Sequence, residues 1–250
     1  MTQISSKCIQ RCLMFPFHPS HWRLMRHSQK YQQKILFHLE KVNNVAQTVA
    51  FKQLQQWQSH RLLVTHEALY QQTRFRPAMD FFKDELYCAE HFHRRNRQLI
   101  HAVPLMCNTM PESVLEIVAS AAELHSLSLE LDTVLLSHIP GTANINQLTL
   151  AQWINAYRLS NNPQQRARQL DLIELLGNEL AKAVTMPMVR ALLTWARLPA
   201  KLAGYEDIHH FVCAGFHAFE HLENPDDFLV PVLTTERALS REWFHPDAAS

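Results

Sequence analysis

An all-α fold, a single antiparallel bundle of about eight to ten helices over residues 20–250, is predicted by three features of the sequence. Apolar side chains recur every three to four residues through most of the chain, no segment alternates apolar and polar residues as a half-buried strand does, and the periodic stretches are joined by short connections. Short connections favour antiparallel packing of successive helices.

Residues 1–19 read as an N-terminal tail ending in the Pro16 and Pro19 stretch. Leu24, Tyr31, Ile35, Leu39 and Val42 mark a first helix, and a second, long one is expected over about 45–72. The Arg76-Pro77 step opens a short helix through Tyr87, because the fixed φ and missing N–H of proline suit a first turn. Another helix runs from about Phe92 to Val103. Residues 108–112 supply a capping Asn, a proline and an early acid, which open a long helix that ends near His138, before Pro140-Gly141. Further helices are expected near 150–159, 163–184, 187–201, 205–222 and 226–244. No internal repeat and no linker long enough to force two domains interrupts this series.

Composition excludes several classes. The four glycines, Gly141, Gly177, Gly204 and Gly215, are scattered, whereas Rossmann and P-loop sites need them clustered so that backbone can approach phosphate. Five cysteines without a C-x-x-C pair fit free thiols in a reducing compartment, so a cytoplasmic location is expected. No apolar run reaches the roughly 20 residues that cross a bilayer. The net charge of +1 conceals an asymmetry: Lys7, Arg11, Arg23, Arg26, Lys30, Lys34 and Lys41 face one acid, Glu40, so residues 1–41 are net +6 and the remainder −5. Such a segment can meet an anionic membrane, nucleic acid or an acidic partner, but its interspersed charges read first as a solvated helix face.

The helix over 111–139 carries polar residues on an apolar face. At 100° per residue, Val114, Val118, Ala121, Leu129, Leu136 and Ile139 form one stripe, widened by Ile117, Leu124, Leu131 and Leu135, and His125 and Asp132 fall inside it. Glu116, Glu123 and Glu130 share the opposite face. A carboxylate in an apolar stripe must be paired, hydrogen-bonded or protonated, so Asp132 predicts a partner. Glu85, between Phe81 and Phe82, predicts one too, with Arg94 or Arg95 the expected cation. These residues read either as packing networks or as the lining of a ligand pocket. On the 187–201 helix, Arg190, Arg197 and Lys201 share one side, a candidate basic surface, while Met188, Leu192 and Trp195 mark another.

The stretch His217-Ala218-Phe219-Glu220-His221 matches H-x-x-E-H, in which two histidines four apart chelate zinc and the Glu acts as general base. Its setting argues against a hydrolytic site, because Ile208, Val212, Gly215, Phe219 and Leu222 define the apolar side and His210, His217 and His221 lie roughly opposite. No pair of E-x-x-H segments suggests a di-iron bundle, no C-x-x-C-H suggests attached haem, and no G-x-S-x-G is present, so the sequence indicates no cofactor. Residues 148–184 imitate a helix-turn-helix, but Asp171, Glu174 and Glu179 disfavour a helix lying among phosphates, and nucleic acid is not the expected partner.

The segment Arg74-Phe75-Arg76-Pro77-Ala78, followed by Phe81-Phe82-Lys83-Asp84-Glu85-Leu86-Tyr87, resembles an uncharacterised bacterial family named for a Phe-Phe-Leu-Glu-Glu-Leu-Tyr (FFLEELY) motif. Phe92, Arg94 and Arg95, the runs 122–125 and 130–132, residues 197–204 and the Gly215 to Phe219 portion are similar to it as well, so that the resemblance spans about 20–245. It implies an α-helical bacterial protein and brings no catalytic residues. The chain departs from that pattern at Cys88, where the family has Gly, and at His91 and Asn96, where it has Asp. Glu85, Arg95, Glu130 and Asp132 are the residues within it to test.

No motif names a reaction. The expected role is that of a non-enzymatic interaction or regulatory protein. Two alternatives stand beside it: a small-molecule or cofactor-binding protein with a pocket near Glu85, His125 and Asp132, and peripheral association with membrane or nucleic acid through residues 1–41. Partner and oligomeric state are not written in the sequence.

Overall fold

In the computed structural model, the described residues are 19–45, 48–86, 92–141 and 144–245. They form α1 (Pro19–Asn43), α2 (Val49–Thr65), α3 (Glu67–Tyr70), α4 (Arg76–Phe81), α5 (Phe92–Thr109), α6 (Glu112–Ser137), α7 (Leu150–Leu159), α8 (Pro163–Val184), α9 (Pro187–Leu202), α10 (Glu206–Glu220) and α11 (Asp226–Phe244). A π-helical turn, Phe82–Leu86, extends α4, and a short 3₁₀ turn, Ile145–Gln147, precedes α7. The fold is all-α, with no strand among the described residues. The tail expected over 1–19, except for Pro19, and the positions Tyr87, Cys88 and His91 lie outside them.

Local chemistry accounts for the ends of these helices. Thr48 caps α2 by accepting from the Phe51 N–H, and Thr149 with Gln152 forms a reciprocal capping box at α7. Pro163 and Pro187 open α8 and α9, where a missing N–H costs nothing. Asn161 turns the chain between α7 and α8 with φ 48°, a left-handed conformation that Asn tolerates. Two expectations change. The helix expected over 45–72 is broken at His66, whose backbone leaves helical geometry while its side chain turns inward. The helix expected to stop near Val103 instead continues through Pro104 to Thr109, because Val103 and Cys107 bury the same side and outweigh one lost hydrogen bond.

Helix α6 runs through the middle of the molecule. Lys34, His38 and Lys41 of α1 meet Glu123, Ser126 and Glu130 in that order, so α1 and α6 run in the same direction, while α5 lies antiparallel to α1. Arg168 and Arg166 of α8 meet α6 near Glu123 and Asp132 respectively, which makes α8 antiparallel to it. Because α6 is clasped from both sides, its N-terminal half buries Leu115, Ala119 and Ala122, one residue on from the expected Val114, Val118 and Ala121, whereas Leu129, Leu131, Leu135 and Ile139 are buried as expected. Apolar clusters join the helices, several of them through α6. Ile35, Leu39, Val103 and Leu115 join α1, α5 and α6; Leu54, Leu135, Trp153, Tyr157 and Trp243 join α2, α6, α7 and α11; Met79, Phe219, Phe228 and Leu233 join α4, α10 and α11. Helices α8 and α11 approach so closely that a Cβ on Gly177 would lie 2.8 Å from Leu229 Cδ2.

Candidate functional site

Two features of this bundle depart from a dry core under a polar surface: a line of buried polar side chains, and one helix that turns apolar side chains outward.

The buried line starts on α2, where Gln55, Gln58 and Ser59 share the face of Phe51, Leu54 and Leu62. Gln58 Nε2 donates to Asp132 Oδ1 at 2.9 Å. Burial holds the Asp132 carboxyl above the ordinary carboxylate range, against the charge of Arg166 and hydrogen bonds from Gln58 and Gln55, which act the other way. Arg166 is itself buried, its guanidinium 4.9 Å from the Tyr157 ring centroid and its Nη1 donating to Gln169. Further along, Arg61 Nη1 donates to both oxygens of Glu236, at 2.7 and 2.8 Å, and His66 Nε2 lies 2.9 Å from Oε1. Burial alone would raise Glu236, but the His66 hydrogen bond and the charge and hydrogen bonds of Arg61 outweigh it, and the carboxyl lies below its ordinary range. The Arg61 guanidinium sits 5.7 and 5.6 Å from the ring centroids of Trp153 and Trp243, which pack edge to face.

Glu85 stands in the π-helical turn. Arg95 reaches its Oε2 at 3.1 Å and its main-chain oxygen at 3.0 Å, and lies 4.2 Å from the Phe211 ring centroid. His210 approaches the other carboxylate oxygen at 3.5 Å. His125 is partly buried nearby; that crowding, and then the charges of Arg95 and His93, push it down to about 3, so the ring is neutral at pH 7. Glu85, Arg95 and His125 therefore belong to one neighbourhood. Asp132 is held in another, two helical turns further along α6, about 10 Å by the rise per residue.

The remaining predicted residues lie at the surface. His217 and His221 stack edge to face with ring centroids 4.4 Å apart, and His221 Nδ1 donates to the His217 carbonyl. Glu220 is paired with Arg190. Among the described residues no three His, Cys, Asp or Glu side chains are grouped to hold a metal ion. Lys201 pairs loosely with Glu206 at 3.8 Å, and Arg197 is exposed. In the basic N-terminal segment, Lys34 and Lys41 pair with Glu123 and Glu130.

Helix α9 has no buried residue. Its inner side, Val189, Leu193, Ala196 and Ala200, is partly covered by α8 and α10, and His209 Nε2 donates to the Leu193 carbonyl. The outer side exposes Met188 (81%), Leu192 (62%), Trp195 (77%), Leu198 (64%) and Leu202 (79%). Apolar side chains at this density usually face a core, and here they face outward.

The model of a family described as a domain of unknown function, DUF8198, matches residues 38–250. The chain belongs to this family. The DUF8198 match takes in α2 through α11, and with them both the buried polar line and the exposed helix. No curated relative and no solved structure matches the chain. No helix among the described residues is long and apolar enough to cross a membrane.

Sequence reasoning did not pick out Arg61, His66, Arg166 or Glu236. A signal for part of this line was present in Gln55 and Gln58, which stand at core spacing between Phe51, Leu54 and Leu62.

Proposed function

We propose that this chain is a non-enzymatic interaction protein of the bacterial cytoplasm, folded as one domain over 20–250, that docks through α9. The observation that carries the reading is the outward row Met188, Leu192, Trp195, Leu198 and Leu202, three-fifths or more exposed at every position. These side chains make an apolar patch on the order of several hundred Å², the size at which patches on soluble proteins mark binding surfaces. Trp195 near its centre supplies the kind of large, rigid anchor that concentrates binding energy. The free thiols of Cys107 and Cys213 support the compartment, and the FFLEELY resemblance supports the bacterial source.

The test is hydroxyl-radical footprinting of the protein in cells and of the dilute purified chain. Protection of Met188, Trp195 and Leu202 in cells alone is the expected result. Equal labelling in both settings overturns the reading.

A second reading, a small polar ligand held beside Asp132, draws on Arg166, whose buried Nε and Nη2 have no hydrogen-bond partner among the described residues. Native and denaturing mass spectrometry of the purified chain distinguish it: a mass lost on denaturation supports a ligand, and identical masses sink it.

A further inference from the structure

We infer that the partner of α9 is a second copy of the same chain, its α9 laid antiparallel across the first about a twofold axis at Trp195. This rests on the docking reading above and names the occupant. An antiparallel twofold pairing brings position 195 − k opposite 195 + k, so a surface fits itself only if its apolar side chains are placed symmetrically in sequence. Those of α9 are: Met188 and Leu202 stand seven residues to either side of Trp195, and Leu192 and Leu198 stand three. Met188 then meets Leu202 of the second copy, Leu192 meets Leu198, and Trp195 meets itself.

The charges agree with this arrangement. Helix α9 carries Arg190, Arg197 and Lys201 and no acid, so a pairing that set these against one another would repel. They sit roughly 140° round the helix from the apolar row, so a contact through that row leaves the cations of the two copies turned away from it. The same rotation weakens the case for an anionic bilayer, whose headgroups would need cations beside the apolar face. A helix of 16 residues is about 24 Å long, and its row offers several hundred Å² per copy, against the roughly 800 Å² per partner of a standard interface, so the contact requires the neighbouring rim as well.

The experiment is sedimentation equilibrium of the purified full chain from about 1 to 100 μM, an interval set to span ordinary dimer affinities. A species of twice 29.1 kDa is expected, with its dissociation constant raised at least tenfold by Trp195→Glu and much less by Trp195→Phe. Circular dichroism checks that both variants keep the helical fold. Register is read by oxidation: Trp195→Cys cross-links to itself beyond the background of the native cysteines, Leu192→Cys alone does not, and Leu192→Cys with Leu198→Cys does. A monomer throughout, a dimer indifferent to Trp195→Glu, or the reverse cross-linking pattern overturns the inference. If the purified chain is monomeric yet protected at α9 in cells, self-pairing fails and docking stands; if it is also unprotected in cells, both fail. Binding of the monomer to phosphatidylglycerol vesicles, lost in Trp195→Glu, assigns the face to a bilayer and likewise overturns self-pairing.

Discussion

His66 places its Nε2 2.9 Å from Oε1 of Glu236, a residue 170 positions further along the chain. The contact accounts for the break between α2 and α3 and ties that corner to α11, where Arg61 completes the carboxylate's set of donors.

Glu236→Ala leaves the Arg61 cation in a largely buried site without its carboxylate, and the expected cost is about 3–5 kcal/mol, read by urea unfolding. Glu236→Gln keeps the shape and is expected to cost less. Because the folded carboxyl lies below its ordinary value, it adds stability above the unfolded value of 4.5 that is lost as pH falls through the folded one. The two wild-type and Gln unfolding curves should therefore converge in acid; a difference that stays constant with pH contradicts the pairing.

Asp132 has the opposite sign. Its folded carboxyl holds a proton more tightly than the unfolded 3.8, so stability falls as pH rises from there through the folded value. Asp132→Asn is expected to remove that decline while keeping the contact with Gln58. Thermal melts of both proteins from acid to neutral pH check this, and parallel profiles count against it.

His125 is neutral in the fold, at about 3 against 6.5 for the free side chain. Between those values the unfolded chain binds the extra proton, so stability drops as pH falls through that window, with a limiting slope of about 1.4 kcal/mol per pH unit. In His125→Phe this component should vanish from the pH dependence of the unfolding midpoint. An unchanged slope refutes the assignment.

Substitutions on α9 should barely affect the monomer. Trp195→Glu is expected to change chain stability by within about 0.5 kcal/mol in dilute solution, as exposed sites do, whereas Trp153→Ala in the core should cost about 3–5 kcal/mol. Denaturant titration at low protein concentration compares the two. Equal losses mean that α9 is packed in the monomer.

Helix order was legible because each helix announces itself within its own few turns. Pro163 and Pro187 open α8 and α9, and Ile35, Leu39 and Val42 stack on one side of α1. Glu85 had a readable partner, since its candidate cations, Arg94 and Arg95, lay within ten residues in sequence, and Arg95 is the one it meets. Asp132 announced the need for a partner without naming it, and Gln58 comes from 74 positions away. Along the first half of α6 the buried face lies one residue on from the one periodicity indicates, Leu115, Ala119 and Ala122 in place of Val114, Val118 and Ala121, because burial there is decided jointly by α1 and α8.

Periodicity by itself determined that this chain is helical and roughly where each helix begins and ends, because backbone hydrogen bonding and capping are local. Only the tertiary structure decided what each apolar face meets. Phe228 and Trp195 obey the same three-to-four-residue rhythm, yet one is sealed against Phe75 and Phe219 and the other stands in water. The spacing of side chains along a helix specifies a surface, whereas burial depends on which other surfaces the rest of the chain brings to it.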